Sequence, residues 1–202
     1  MAIPREVREV SVIPTSEQEQ LAVGTTLGDG YIYPTGRLQL EHQERFKPYL
    51  LWKYEMLESL ASGVPKRCVR FDKRTEKEYM SWRFYTKTVF KNYRELFYPD
   101  GRKIVPVNIG QLLLSPLSLA VWFMDDGGKG ARTPKGVIIS VNGFSISDRL
   151  LLRECLNVNF QLEVNLHNNG QIYIPAASYK RFYEIVASYI VPSMRYKLPV
   201  TP

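Results

Sequence analysis

Two aspartates, Asp29 and Asp126, end similar short stretches: LAVGTTLGDG over residues 21–30 and SLAVWFMDDGG over residues 118–128. Each stretch carries small or apolar residues at helical spacing and finishes in Asp followed at once by Gly, and the two acids lie 97 residues apart. A carboxylate in the last turn of a helix faces the negative end of the macrodipole, at a cost of a few tenths to ~1 kcal/mol. Making that unfavourable choice twice marks a site rather than a stabilising feature. A divalent cation reverses the sign, because carboxylate and helix-end carbonyls then attract the same positive charge. These are hard oxygen donors, which suit an ion such as Mg²⁺, and the backbone carbonyls of Gly28 and Asp125 are natural additional ligands. The repetition predicts a pseudo-twofold protein with two carboxylates at its centre.

Two helices must present these acids. Ser16 and Glu19 have capping-box spacing, and Leu21, Gly24, Thr25 and Gly28 share one face of the helix that follows. Ser115-Pro116 is an N-cap followed by proline in the first turn, opening the second. Gly24, Gly28 and Ala120 are small enough to let two helix backbones approach closely.

The same order of elements follows each motif. After the first comes a hairpin across Pro34-Thr35-Gly36, then an amphipathic helix over residues 47–61 with Leu50, Tyr54, Leu57 and Ala61 on one side. Residues 67–72 and 79–86 alternate as strands, with Val69, Phe71, Trp82 and Phe84 on the expected buried face, and a helix over 88–97 closes the half. In the second half Phe160, Leu162, Val164 and Leu166 alternate with polar residues, Asn168-Asn169-Gly170 signals a hairpin, and a helix is expected near 176–189. LFYPDGRKIVP (residues 96–106) and YIVPSMRYKLP (residues 189–199) are also alike, and their lysines, Lys103 and Lys197, stand 94 residues apart. Two copies mean duplication and fusion rather than a solenoid. The expected division is an arm over residues 1–14, a first half over 15–110 and a second over 111–202.

The net charge is +7, and both halves share it: 18 Lys/Arg against 14 Asp/Glu in residues 1–110, and 9 against 6 in 111–202. Basicity built into the body of the protein favours a polyanionic partner. No apolar run approaches the ~20 residues of a membrane span, and the N-terminus resembles neither a secretory signal nor a transit peptide. Two cysteines and two histidines make a Cys/His zinc site or a disulfide scaffold an unattractive reading. Cys68 and Cys155 are read as packing residues, and Trp52, Trp82 and Trp122 fall in apolar patterns that read as core. The expectation is an intracellular protein, of an organelle (mitochondrion or plastid) or a bacterial cytoplasm.

VGTTLGDGYI and LSLAVWFMDDGGK resemble the two signature helices of single-chain LAGLIDADG homing endonucleases. The second motif, with its preceding Ser-Pro and following Gly-Gly-Lys, is similar to the branch of mitochondrial omega-intron endonucleases, and the likeness runs from about residue 16 to Pro199. The resemblance implies an α+β fold of two pseudo-symmetric αββαββα halves, packed through the motif helices, with saddle-shaped antiparallel sheets over DNA. It implies a monomeric, intron-encoded endonuclease that makes a staggered double-strand break in a long asymmetric DNA target. Asp29 and Asp126 would hold Mg²⁺, with Mn²⁺ substituting and Ca²⁺ supporting binding without cleavage. Lys103 and Lys197 would sit near the cleavage sites, polarising the attacking water or offsetting charge on the phosphate.

The polar strand faces then become the reading surface. The first half offers Arg37, Gln39, Lys66, Arg67, Arg70, Lys73, Arg74, Arg83 and Tyr85. The second offers Lys129, Arg132, Lys135, Ser140, Asn142, Asn165, His167, Asn169, Gln171 and Tyr173. Arg and Lys suit guanine edges and Asn and Gln suit adenine in a major groove that admits a β-ribbon. The strongest rival is an RNA maturase of a group I intron using the same fold, with its own intron RNA as partner. A two-carboxylate hydrolase of sugars fits the Arg-rich strand faces poorly.

Overall fold

The computed structural model describes residues 12–130 and 135–199. Arg132 and most of the expected N-terminal arm lie outside the described residues. The first motif helix, α1 (Ser16–Leu27), is capped one position earlier than the sequence pattern predicts. Thr15 is extended and its hydroxyl oxygen accepts from the Gln18 backbone N–H, while the Gln18 side-chain Oε1 accepts from the Thr15 backbone N–H. The box is therefore Thr15/Gln18 rather than Ser16/Glu19. The second, α5 (Pro116–Asp126), starts as expected, with the Ser115 hydroxyl oxygen accepting from the Leu117 N–H.

Each motif helix opens one αββαββα unit. The first continues through β1 (Tyr31–Ile32), β2 (Leu38–Gln43), α2 (Lys47–Leu57), β3 (Lys66–Asp72), β4 (Lys77–Tyr85) and α3 (Lys91–Phe97). A short helix α4 (Ile109–Leu112) precedes α5, and the second unit runs through β5 (Gly127–Lys129), β6 (Val137–Ser140), α6 (Ile146–Phe160), β7 (Asn165–His167), β8 (Gln171–Ile174) and α7 (Ala176–Val186). The antiparallel sheets have matching orders, β1-β2-β4-β3 and β5-β6-β8-β7. Among the described residues no helix is long and apolar enough to cross a membrane.

The helices α1 and α5 form the shared centre. Leu21 through Leu27 are buried on one, and Leu117 through Met124 on the other, so these helices bury nearly their whole circumference. Gly24 makes the contact possible: a methyl group there would fall on the Ser118 carbonyl oxygen and within 3.0 Å of Val121 Cβ. Gln20 crosses the same seam, donating to the Leu112 carbonyl and accepting from the N–H groups of Leu114 and Ser115. Trp122 is fully buried and Cys155 nearly so, as the sequence suggests, while Trp52, Trp82 and Cys68 are only partly covered.

Two strand readings need correction. Val69 and Phe71 are 54% and 57% exposed, because β3 and the adjoining end of β4 run out past the helices that cover the sheet. The alternation from Phe160 is not one strand. Phe160 ends α6, Gln161 reverses the chain in the left-handed region (φ 56°), and only Asn165–His167 joins the sheet. Leu162 and Val164 are buried all the same, which is why their pattern imitated a half-buried strand.

Candidate active site and nucleic-acid interface

The motif helices end asymmetrically although their sequences align. The first ends at Leu27 with Gly28 as its C-cap, leaving Asp29 just outside; the second keeps Asp126 as its last residue. Asp29 is half exposed (51%), and Asp126 is partly covered. Among the described residues no N–H or O–H donates to either carboxylate. Burial first, and then the negative charges of Asp29 and Asp125, push Asp126 up to about 7. Burial and Asp125 also raise Asp29, against the pull of Lys53, Lys197 and Lys103. Asp29 is thus close enough to Asp126 to hinder its ionisation, and Asp125 hinders both.

Lys103 and Lys197 reach this centre from the two repeated tails in equivalent ways. The Lys103 ammonium donates to the carbonyls of Gly28 (2.8 Å) and Gly30 (3.0 Å). That of Lys197 donates to the carbonyls of Met124 and Asp125, the latter at 2.7 Å. Each lysine satisfies carbonyls left open at a helix end. The carbonyls anticipated as metal ligands, those of Gly28 and Asp125, are therefore already accepting from ammonium groups here. Burial lowers both lysine pKa values, opposed in each case by the three aspartates. Asp126 is the leading acidic influence on Lys103, and the two share a cavity of about 300 Å³ with Gly28, Ser140 and Asn142. A lysine from the first unit thus faces the acid of the second.

Three residues that the sequence pattern did not single out for chemistry complete the centre. Lys53 on α2 is fully buried and bonds both carboxylate oxygens of Asp125, at 2.8 and 3.0 Å. The Tyr49 hydroxyl donates to the same carboxylate at 2.9 Å. His42 on β2 places Nδ1 3.7 Å from Asp29 Oδ2 and Nε2 3.7 Å from Asp125 Oδ1. Asp29, His42 and Asp125 together offer ligand atoms within 4.8 Å of one another. Burial first, then Lys53, pushes His42 down to about 4, so its imidazole is neutral at physiological pH. A signal for Lys53 existed: it falls three residues after Leu50 and four before Leu57, inside the apolar stripe of α2.

Strand register sorts the expected reading surface. Gln39 pairs with Tyr85, Glu41 with Arg83, and Arg83 in turn with Lys66, so these side chains share the polar face, as does Arg70 opposite Tyr79. Arg37, just before β2, lays its guanidinium over the Tyr85 ring at 4.5 Å. Arg83 bonds Glu41 at 2.7 Å and the Tyr85 hydroxyl at 3.0 Å, and Ser81 donates to Glu41. An open groove of about 620 Å³ runs along this face, and Asp29 and His42 line it together with Gln39, Arg70 and Arg83. Lys73 and Arg74 occupy the exposed turn between β3 and β4. Arg67 is different: it pairs with Trp82 on the opposite face and bonds Glu44 at 3.3 Å.

In the second sheet Ser140, Gln171 and His167 line up across β6, β8 and β7, and Tyr173 sits opposite Asn165. His167 stacks on Tyr173 with ring centroids 4.9 Å apart, and Asn169 donates to Gln171. Asn142 follows β6 in an exposed turn, and Lys135 precedes it, exposed. Lys129 pairs with Val137 on the edge strand, which sets it on the face opposite Ser140. Aligned by register, Arg83 of the first sheet corresponds to Gln171 of the second, so the two polar faces present different chemistry.

Two acids at the ends of paired helices, each beside a polar sheet face, have parallels among known proteins. A family model described as the LAGLIDADG DNA endonuclease family matches residues 19–182. The chain is 30% identical over 208 residues to "DNA endonuclease I-ChuI" of Chlamydomonas applanata, covering 91% of this chain and 95% of that protein. It is 29% identical over 196 residues to "Cytochrome b mRNA maturase bI2" of Debaryomyces hansenii, covering 90% of this chain and 73% of that protein. Among solved structures, "The homing endonuclease I-WcaI bound to its DNA recognition sequence" matches with a TM-score of 0.83 and 26% identity, over 98% of this chain and 95% of that one. The chain belongs to the LAGLIDADG DNA endonuclease family.

Proposed function

We propose that the protein is an intron-encoded homing endonuclease, which makes a staggered double-strand break in a long, asymmetric DNA site by metal-dependent hydrolysis. The observation that carries this reading is the placement of Asp29 and Asp126 at the meeting of two polar sheets, each acid raised by burial and by its neighbours. Their donor set fits a hard divalent cation: carboxylate oxygens with unshared lone pairs. Mg²⁺ is the proposed ion, held by Asp29 and Asp126, and when bound it would supply a Lewis acid beside the scissile phosphate. The side chains do the rest. Lys103 and Lys197 are fixed by their carbonyl partners and place positive charge beside the acids, where negative charge builds on the phosphate oxygens in the transition state. The groove face aims Gln39, Arg70 and Arg83 at base edges and phosphates, and Ser140, His167 and Gln171 do the same in the other half. Because the two faces differ, the preferred target is not palindromic.

The test is Mg²⁺-dependent cleavage of the intronless host sequence, with Asp126→Asn as control. A defined double-strand break that disappears in Asp126→Asn and without Mg²⁺ is the expected result; binding without a break counts against the reading. The relative named as a maturase supports a second reading, RNA splicing on the same scaffold. A splicing assay separates the two, since a maturase tolerates Asp29→Asn and Asp126→Asn.

A further inference from the structure

Among the described residues, Lys53 is the lysine buried most completely, with Asp125 equally buried against it. Removing two charges from water is costly, and attraction repays it only where geometry and further hydrogen bonds are good. Here they are: both Asp125 oxygens meet the ammonium, and Tyr49 adds a hydroxyl donor. One oxygen, Oδ2, has a further partner. It accepts from the backbone N–H of Asp29 at 3.3 Å, across the seam between the two units. The contact needs Gly28, since a Cβ there would lie 2.5 Å from Asp125 Cβ. His42 stands 3.7 Å from both carboxylates on the remaining side. The turn that carries Asp29 is therefore braced by a buried ion pair belonging to α2 and α5.

Among the described residues, no buried ion pair braces the turn that carries Asp126 in this way. In the repeat, Gly28 occupies the position matching Asp125. By strand register, the position matching His42 is Val141. The two acids that look alike in sequence are held in different ways.

We propose that Lys53 is a positioning residue: acting through Asp125, it fixes the Asp29 turn and thereby sets the rate of one of the two strand cuts. This rests on the endonuclease reading above. The variants must avoid a lone buried charge, so both partners change together. Lys53→Met/Asp125→Ala removes the pair and the acceptor for the Asp29 N–H. Lys53→Met/Asp125→Asn removes the charges but keeps an acceptor oxygen. Single-turnover cleavage of a duplex labelled on each strand in turn reads both cuts separately. The alanine variant slows one strand by about 10- to 100-fold, the cost of a small misplacement at a reacting centre, and leaves the other at the wild-type rate. The asparagine variant restores most of the lost rate. Tyr49→Phe, a lesion that keeps the core filled, slows the same strand by about threefold and decides the matter if the alanine variant does not fold. Equal rates on both strands, whether slowed or not, in the folded variants overturn the proposal while wild-type cutting upholds the endonuclease. Absence of any cut by the wild type overturns both.

Discussion

Asp126 is stabilising when protonated and unfavourable when charged, and this has a measurable consequence. Its pKa stands near 7 in the folded protein, above the ordinary 3.8, because of burial and the charges of Asp29 and Asp125. The folded state therefore holds a proton that the unfolded state releases, and stability from this group falls as pH rises from about 4 to about 7. His42 acts in the opposite sense. Its folded pKa of about 4 lies below 6.5, so its contribution is gained as pH rises through that window. Wild type should show a flattened profile between the two. Asp126→Asn should be more stable than wild type by on the order of 1–3 kcal/mol at pH 8, with the gap closing toward pH 4. Urea denaturation at a series of pH values measures it, and a gap that is constant with pH would refute the assignment. A site that loses its chemistry while the protein gains stability is the expected trade-off of function. Asp29, Asp126, Lys103 and Lys197 were legible because duplication shows each of them twice. Lys53, Tyr49 and His42 have no repeated motif to mark them; Tyr49 and His42 pass for ordinary members of a helix and a strand, and only the place of Lys53 inside the apolar stripe of α2 sets it apart.

Helix α1 and helix α5 pack backbone to backbone, and Gly24 leaves little room between them. Gly24→Leu should cost about 3 kcal/mol or more, since no flexible side chain end but the Ser118 backbone blocks the space. For a chain of this length that corresponds to a fall in Tm of roughly 6–12 °C, measurable by calorimetry. An unchanged Tm would mean the seam can open without loss. Small residues at helical spacing made this contact readable from sequence, as Ser115-Pro116 made the start of α5 readable. Strand extent was less so. Val69 and Phe71 alternate as a half-buried strand does, yet whether a helix reaches far enough to cover them is a matter of tertiary length, which no local pattern encodes. The run from Phe160 to Leu166 misleads for a related reason: burial continues through the turn at Gln161 although the backbone changes direction.

Taken whole, the molecule divides its +7 charge between its two halves and does not concentrate it in a tail. Binding to DNA should weaken steeply with salt, and a phosphate-contacting arginine should account for close to one unit of the slope of log K against log salt. Arg70→Ala should lower that slope by about 1, whereas Arg67→Ala, on the far side of the same strand and tied to Glu44, should leave it unchanged. Fluorescence anisotropy from 50 to 300 mM salt, run on both variants, checks the difference; equal effects would place both arginines on DNA. Asp125 facing Gly28 says something further about how the two halves came to depend on each other. Two copies of the second half could not pair in this way, because each would bring an aspartate to a spot with room only for glycine. Two copies of the first half would each bury a lysine with no acid to meet it. One half carries the buried lysine and the other carries the acid that meets it. The halves are therefore not interchangeable parts: neither could pair with a copy of itself through this contact.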